Sequence, residues 1–399
     1  MMNQFTKRIG LIFIWLGLCG FSMWPFSCSH GKKNKIVFTP VGASFGSASL
    51  IDLEFLPGQG GESIVIQKNG VVSYVTSDFQ PLAQTVTIGV LDEDEQGLLN
   101  VAADPDYGSN HFIYLYYTLP AGEGNQLDRL TANVDVPNGT FELLDQETIA
   151  TFLKSESPGF DGHHNGGGMV FGADGDLFVG VGDGGGEASG DTTLAIAQDE
   201  TKNLGKIHRI VPDRNPGEGG ATIDEMYARG LRNPFTLAQA IVHTKPVVFV
   251  GDVGSTVFEE INLITAGDEN FGWPLAEGDS TDAGFTNPIY GYKHTDKKFA
   301  KEDPDDSAFD VIDPQSVIVG TYYTGSQYKD VLKDRLIYSD FFQGWVRGFK
   351  LNDKDEEKSD EHLGHQSGLT SIQEGPDGFL YATSLFGSDH ILRVDLVKK

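Results

Sequence analysis

The sequence predicts an all-β chain, a propeller of six four-stranded antiparallel blades, and three observations predict it. Fifty glycines beside 17 prolines in 399 residues supply many tight turns. Beyond Lys35 almost no stretch carries the 3.6-residue period of a long helix. One short pattern recurs instead, a turn with Asp, Asn or Gly followed by four to six strand residues. It reads KNGVVSYVTSD near Gly70, SNHFIYLYYT near Tyr114, ADGDLFVGVGD near Leu177, KPVVFVGDVG near Val248, KDRLIYSDFF near Ile337 and PDGFLYATSL near Leu380. Six copies of one turn-strand unit mark a repeated β-architecture.

The chain opens on a targeting segment. Lys7 and Arg8 precede an apolar run from Ile9 to Trp24, and no acid occurs before Asp52. That order is the charged and apolar region of a secretory signal, expected over 1–27, with an uncleaved anchor as the alternative. Cys28 follows Ser27 and opens a polar tether over 28–35, which makes it a candidate for lipid attachment at a membrane; Pro25 and Phe26 fit that role poorly. The protein is therefore expected outside the cytoplasm, periplasmic or extracellular. Cys19 and Cys28 are the only cysteines, so the folded part, 36–399, has no thiolate for a disulfide or a metal. The net charge of −28 becomes −30 without residues 1–27, which argues against nucleic acid or an anionic membrane face as a partner.

The strand near Ser49–Phe55 (SLIDLEF) is expected to pair into the last blade and close the ring. Asp-Gly and Asn-Gly before later strands are the chemistry of tight hairpin turns. GKIHRIV (Gly205–Val211), GWVRGFKL (Gly344–Leu351) and HILRVDLV (His390–Val397) read as later strands of successive blades. At about 40–50 residues per blade, roughly 360 residues accommodate six. Inserts are expected at 119–145, 184–205, 212–226 and 276–316. The last carries the acidic run KEDPDDSAFDVID, which lacks regular calcium-ligand spacing.

Two segments carry candidate chemistry. Asp161–Gly186 sets His163 and His164 between glycine runs that let backbone approach a ligand closely. Gly180, Gly182 and Gly185 spell G-x-G-x-x-G, but without a βαβ context the match carries no dinucleotide meaning. Neither a zinc-ligand spacing nor a serine nucleophile elbow is present, which leaves a histidine able to take a proton from a hydroxyl. In ARGLRNPFTLA, Pro234 holds Asn233 extended, and Arg232 beside it can stack on a flat ring or grip an anion.

QGLLNVAADPDYGSNHFIYLYYT, HNGGGMVFGADGDLFVGVGDGG, NLGKIHRI, GLRNP, GDVGSTVFEEINLITAGDENFGWP and GPDGFLYA, in this order from about Ile51 to Leu396, resemble the glucose/sorbosone dehydrogenase family. These are soluble aldose dehydrogenases dependent on pyrroloquinoline quinone (PQQ). The resemblance implies that His164 is the base for the anomeric hydroxyl, that Arg232 and Asn233 lie beside the cofactor, and that His163 contacts cofactor or substrate. It also implies that the Gly254 carbonyl meets the cofactor's Ca²⁺, and that Glu260 and the Phe271 backbone meet a second Ca²⁺. An aldose and an external electron acceptor are the implied partners. Several positions depart from the family pattern: Glu95 stands where a Gln is common, Gly168 for an Arg and Val253 for a Gln. Phe342 and Gly368-Leu369-Thr370 stand where basic residues hold the cofactor's carboxylates. Those departures keep a second expectation open, a propeller of the same family that has lost PQQ and binds a sugar or protein. A calcium-dependent lactonase would need a carboxylate-rich funnel that the sequence does not display.

Overall fold

The computed structural model describes residues 34–398 apart from 47–48, 158, 160, 186–194, 215–222, 296–314, 353 and 355. The expected signal segment, Cys28 and the acidic run of the 276–316 insert lie outside the described residues. Six four-stranded antiparallel sheets are formed, one per blade. Their inner strands are Leu50–Phe55, Leu98–Ala103, Met169–Phe171, Pro234–Val242, Val317–Tyr323 and Leu369–Glu374, and each packs beside the next around a common axis.

The second strand of a blade explains the apolar runs of the sequence. SIVIQ, LFVGV, RLIYSD and LYATS are buried at every position, because both faces of the strand meet a neighbouring blade. Alternation survives only where one face is wet, as in the outer strand Thr140–Leu153. Five of the six recurrent motifs form second strands. The first, VVSYV at Val71–Val75, forms a third strand instead, preceded by Ser63–Gln67. Asp-Gly turns lead into the second strands of blades three and six. Gly175 and Gly378 take φ of +86° and +78°, and the Asp174 and Asp377 side chains each accept the amide two residues on.

The core divides with the blades. One apolar cluster fills each of the six seams: Tyr114 and Leu177 meet between blades two and three, Phe249 and Leu336 between four and five. The seam between blades six and one holds a small set, Leu50, Leu53, Val65, Val75, Tyr381 and Ile391.

Ring closure differs from the expectation. Ser49–Phe55 does not join the last blade; Leu50–Phe55 is the inner strand of blade one. The closing strand is Asn34–Val41, which pairs antiparallel with Ile391–Lys398 as the outer strand of blade six. Asn34 and Lys35, expected in the tether, are already in this ladder. The apolar run Ile36-Val37-Phe38 was too short, just after the polar tether, to read as a strand. The insert expected over 119–145 is mostly sheet as well, a long hairpin of Gly124–Asp135 and Thr140–Leu153.

Candidate active site

The glycine-rich stretch earns its composition at His164. Its φ is +51°, a left-handed conformation that costs a histidine energy, and Gly166 follows at +68°. The backbone here is packed against the end of a second strand. A Cβ on Gly182 would lie 1.8 Å from the His164 carbonyl, and one on Gly166 2.4 Å from the Gly180 carbonyl. Only glycine permits this approach, and the result is an imidazole held in a fixed place.

Asp183 does the holding. His164 Nδ1 lies 2.7 Å from Asp183 Oδ1, with both side chains 8% exposed. The second carboxylate oxygen accepts the Trp273 indole N–H at 2.8 Å, and Oδ1 also takes the Gly185 amide at 3.0 Å. A carboxylate beside Nδ1 places the ring proton there and leaves Nε2 with its lone pair. The His164 amide donates to Glu95 Oε2 at 2.8 Å, which fixes the ring's backbone from the second blade.

The Arg232-Asn233 pair is built the same way. Both amides donate to the buried Asp252 carboxylate, Asn233 at 2.7 Å. Burial raises the Asp252 carboxyl well above its ordinary value, with Glu260 adding to the effect. The Arg232 guanidinium donates to the Val253 carbonyl at 2.9 Å and lies 5.6 Å from the Trp273 ring centre. Asn233 Oδ1 accepts the Gly166 amide at 2.9 Å, which joins the two segments into one wall.

That wall bounds an axial cavity of about 420 Å³, lined from every blade. Glu95, Asn165, Gly166, Arg232, Asn233, Val253 and Gly254 form one side, with Lys68 and Asp94 reaching in from blades one and two. The side from blades five and six is apolar or neutral: Ile318, Phe341, Phe342, Thr370 and Leu385. Phe341 packs edge-on against both Phe342 and Phe386, ring centres 4.9 Å apart in each pair, and Phe342 and Phe386 remain exposed.

The profile of the glucose/sorbosone dehydrogenases matches residues 48–393. The chain belongs to the glucose/sorbosone dehydrogenase family. It is 26% identical to the aldose sugar dehydrogenase YliI of Escherichia coli over 313 residues, 75% of this chain and 76% of that protein. It is likewise 26% identical to an uncharacterised protein of Synechocystis over 315 residues, covering 75% and 70%. The PQQ-bound aldose sugar dehydrogenase of Streptomyces coelicolor superposes with a TM-score of 0.66 at 23% identity, covering 92% of this chain and 99% of that one. That likeness establishes the shared propeller.

Of the residues singled out from the sequence, the fold brings Glu95, Arg232, Asn233 and Gly254 together in the cavity wall. His164 is buried and is not itself among the lining residues, although the next two residues, Asn165 and Gly166, are; its Nδ1 is held by Asp183. His163 does not join them: its side chain is 45% exposed, and its Nδ1 meets Asp161 at 3.1 Å outside the cavity lining. Glu260 and Phe271 lie away from the cavity lining too, both buried. Arg347, the arginine of GWVRGFKL, does not reach the cavity lining and is locked in blade five on Asp360 at 2.7 Å. Gly168 has no room for a longer side chain, since a Cβ there would meet Leu237 at 2.8 Å.

Three functional groups escaped the sequence reading. Asp183 lies inside the G-x-G-x-x-G match that was set aside, and an acid between glycines at a strand end was the available signal. Asp252 is the last residue of the next blade's second strand, in the matching V-G-D sequence. Trp273 was legible only as part of FGWP.

The residues present fit the cofactor and metals that the family implies. Two cationic side chains, Lys68 and Arg232, line a cavity within the size range of small-molecule sites, and apolar walls suit a flat ring. Among the described residues no cluster of three or more His, Cys, Asp or Glu is gathered, so any calcium would rest on mixed oxygen donors. At Glu260 such donors exist: the buried Asn262 Oδ1 has no hydrogen-bond partner, while its Nδ2 donates to Glu260 at 3.2 Å. Burial raises the Glu260 carboxyl to about 7, and Asp252 faces it across the ladder.

Proposed function

We propose that the protein is an exported aldose dehydrogenase of this family that uses PQQ and Ca²⁺ and oxidises a sugar at its anomeric carbon. The observation that carries the reading is the His164–Asp183 pair. It presents one imidazole nitrogen as a base, immobilised on its far side by a buried carboxylate.

The chemistry follows from the residues. His164 Nε2 takes the proton of the anomeric hydroxyl, and Asp183 stabilises the imidazolium that forms. Trp273 and Gly185 donate to Asp183 and keep it an acceptor, so that it orients the ring without taking its proton. Arg232 and Asn233, tied to Asp252, set the position of whatever lies against the wall. PQQ, when bound, supplies the two-electron acceptor for the hydride that leaves the same carbon. Arg232 and Asn233 would hold it, with the Gly254 carbonyl toward its calcium; Glu260, Asn262 and the Phe271 carbonyl would hold a second calcium. Export through residues 1–27, with or without attachment at Cys28, would bring the enzyme to aldoses and an electron acceptor outside the cytoplasm.

The test is turnover of an aldose panel by purified protein supplied with PQQ, Ca²⁺ and an artificial electron acceptor, alongside His164→Ala. Sugar-dependent reduction that disappears in the variant supports the reading. Absence of both turnover and PQQ binding refutes it. The neutral phenylalanine rim favours a second reading, a propeller that binds a sugar or protein without catalysis; that reading requires aldose or protein binding that survives His164→Ala.

A further inference from the structure

We infer that Lys68 is the anion anchor of the cavity, and that a flat carboxylate-bearing ring binds with its charged edge toward blade one and its apolar edge on the phenylalanines of blades five and six. The inference rests on the reading of the cavity as a PQQ site and assigns a residue that the family comparison does not mark.

The first argument is charge placement. Among the described residues lining the cavity, only Lys68 and Arg232 carry positive charge. Arg232 spends one guanidinium nitrogen on the Val253 carbonyl. The rim from blades five and six offers a carboxylate no cationic side chain: Phe341, Phe342, Leu385 and Ile318 are apolar, and the Thr370 hydroxyl is committed to the Leu50 carbonyl at 3.1 Å. A polycarboxylate against that rim would lose hydration without compensation. Turned about, the same ring lays its hydrocarbon edge on phenylalanine faces and its carboxylate toward an ammonium.

The second argument is geometry. Lys68 follows the second strand of blade one, and its backbone is clamped on both sides. Its amide donates to the Ser49 carbonyl at 3.0 Å, and its carbonyl accepts the Leu98 amide at 2.9 Å. Gly97 packs so closely that a Cβ there would meet the Lys68 carbonyl at 2.6 Å. The ammonium makes one hydrogen bond, to the Asp92 carbonyl at 2.5 Å, which leaves two of its protons for a ligand. Burial lowers the Lys68 ammonium below its ordinary value, and the charges of Asp92 and Asp94 partly oppose that. A rigid backbone, a committed first bond and donor capacity left over on a residue of the cavity lining describe a point-charge anchor.

The experiment is equilibrium titration of PQQ into the full chain with Ca²⁺, followed by protein fluorescence, for the wild type, Lys68→Met and Lys68→Arg. The trimethyl ester of PQQ serves as an uncharged control. Lys68→Met keeps the apolar stem and is expected to bind PQQ roughly tenfold to a hundredfold more weakly. Lys68→Arg should recover most of that loss, and the preference of the wild type for PQQ over its ester should shrink in Lys68→Met. Equal affinity of the three proteins for PQQ overturns the inference while leaving the proposed function standing. Unchanged PQQ binding with a selective loss of D-glucuronate over D-glucose as substrate also overturns it, and assigns the carboxylate to the sugar. If PQQ binds none of the proteins, the inference and the proposed function fail together.

Discussion

The pair that fixes His164 can be broken by one atom. In Asp183→Asn the residue must still face His164 Nδ1, the Gly185 amide and the Trp273 indole, all three of which donate to the carboxylate. An amide has one acceptor oxygen, so its NH₂ group must face a donor on one side. If it faces Trp273, a buried donor loses its partner; if it faces His164, the ring flips its tautomer and Nε2 carries the proton. Either way the site loses a base or its orientation. Base catalysis of this kind is worth about 10²–10⁴ in rate, so kcat/KM should fall by a factor in that range, about 2.7–5.4 kcal/mol. Steady-state turnover of the reconstituted enzyme measures the loss, and ¹⁵N NMR of the imidazole reports the tautomer without reference to activity. A variant with kcat/KM within about threefold of the wild type and an unchanged Nδ1–H signal would refute the reasoning.

Other outcomes follow from the same structure. Trp273→Phe removes one donor to the Asp183 carboxylate and should lower kcat/KM roughly tenfold, about 1.5 kcal/mol, with little change in the melting temperature. Arg347→Ala strands Asp360 in the core of blade five and should cost about 3–5 kcal/mol in denaturant unfolding while leaving the PQQ affinity of the folded protein unchanged. Burial raises the Asp52 carboxyl from 3.8 to about 7, so the folded protein holds a proton that the unfolded chain has released between those values. Stability from this group is present at low pH and declines as pH rises through that window; the melting temperature of Asp52→Asn relative to the wild type should therefore climb from about pH 4 to pH 7. A constant difference across that range would show that Asp52 does not titrate there.

The fold was legible because its signal repeats. Continuous apolar strands after Asp-Gly turns reflect burial on both faces, and five of six recurrent units land on the same strand of a blade. The closing strand was illegible for a physical reason: Asn34–Val41 finds its partner at Ile391–Lys398, and no local periodicity marks so distant a ladder. At the site, His164, Arg232 and Asn233 could be read from glycine and proline neighbours that constrain the backbone. Asp183 and Asp252 could not, because what distinguishes them from other strand-end acids is the donors that converge on them. Lys68 was hidden as well, since its proposed role depends on the rim of blades five and six carrying no cationic side chain.

The pairing of Asn34–Val41 with Ile391–Lys398 also governs when the ring can form. The first strand of the propeller leaves the ribosome long before its partner and stays an open edge while the other blades assemble. Such an edge invites pairing with another chain. Pro40 in that strand carries no amide hydrogen to offer, and so blunts the edge during the wait. Closure is thus the event of longest sequence separation, and it is the step expected to set the folding rate. A circular permutant that joins Lys398 to Asn34 and opens a surface turn elsewhere would make that contact local and should fold faster with the same active site.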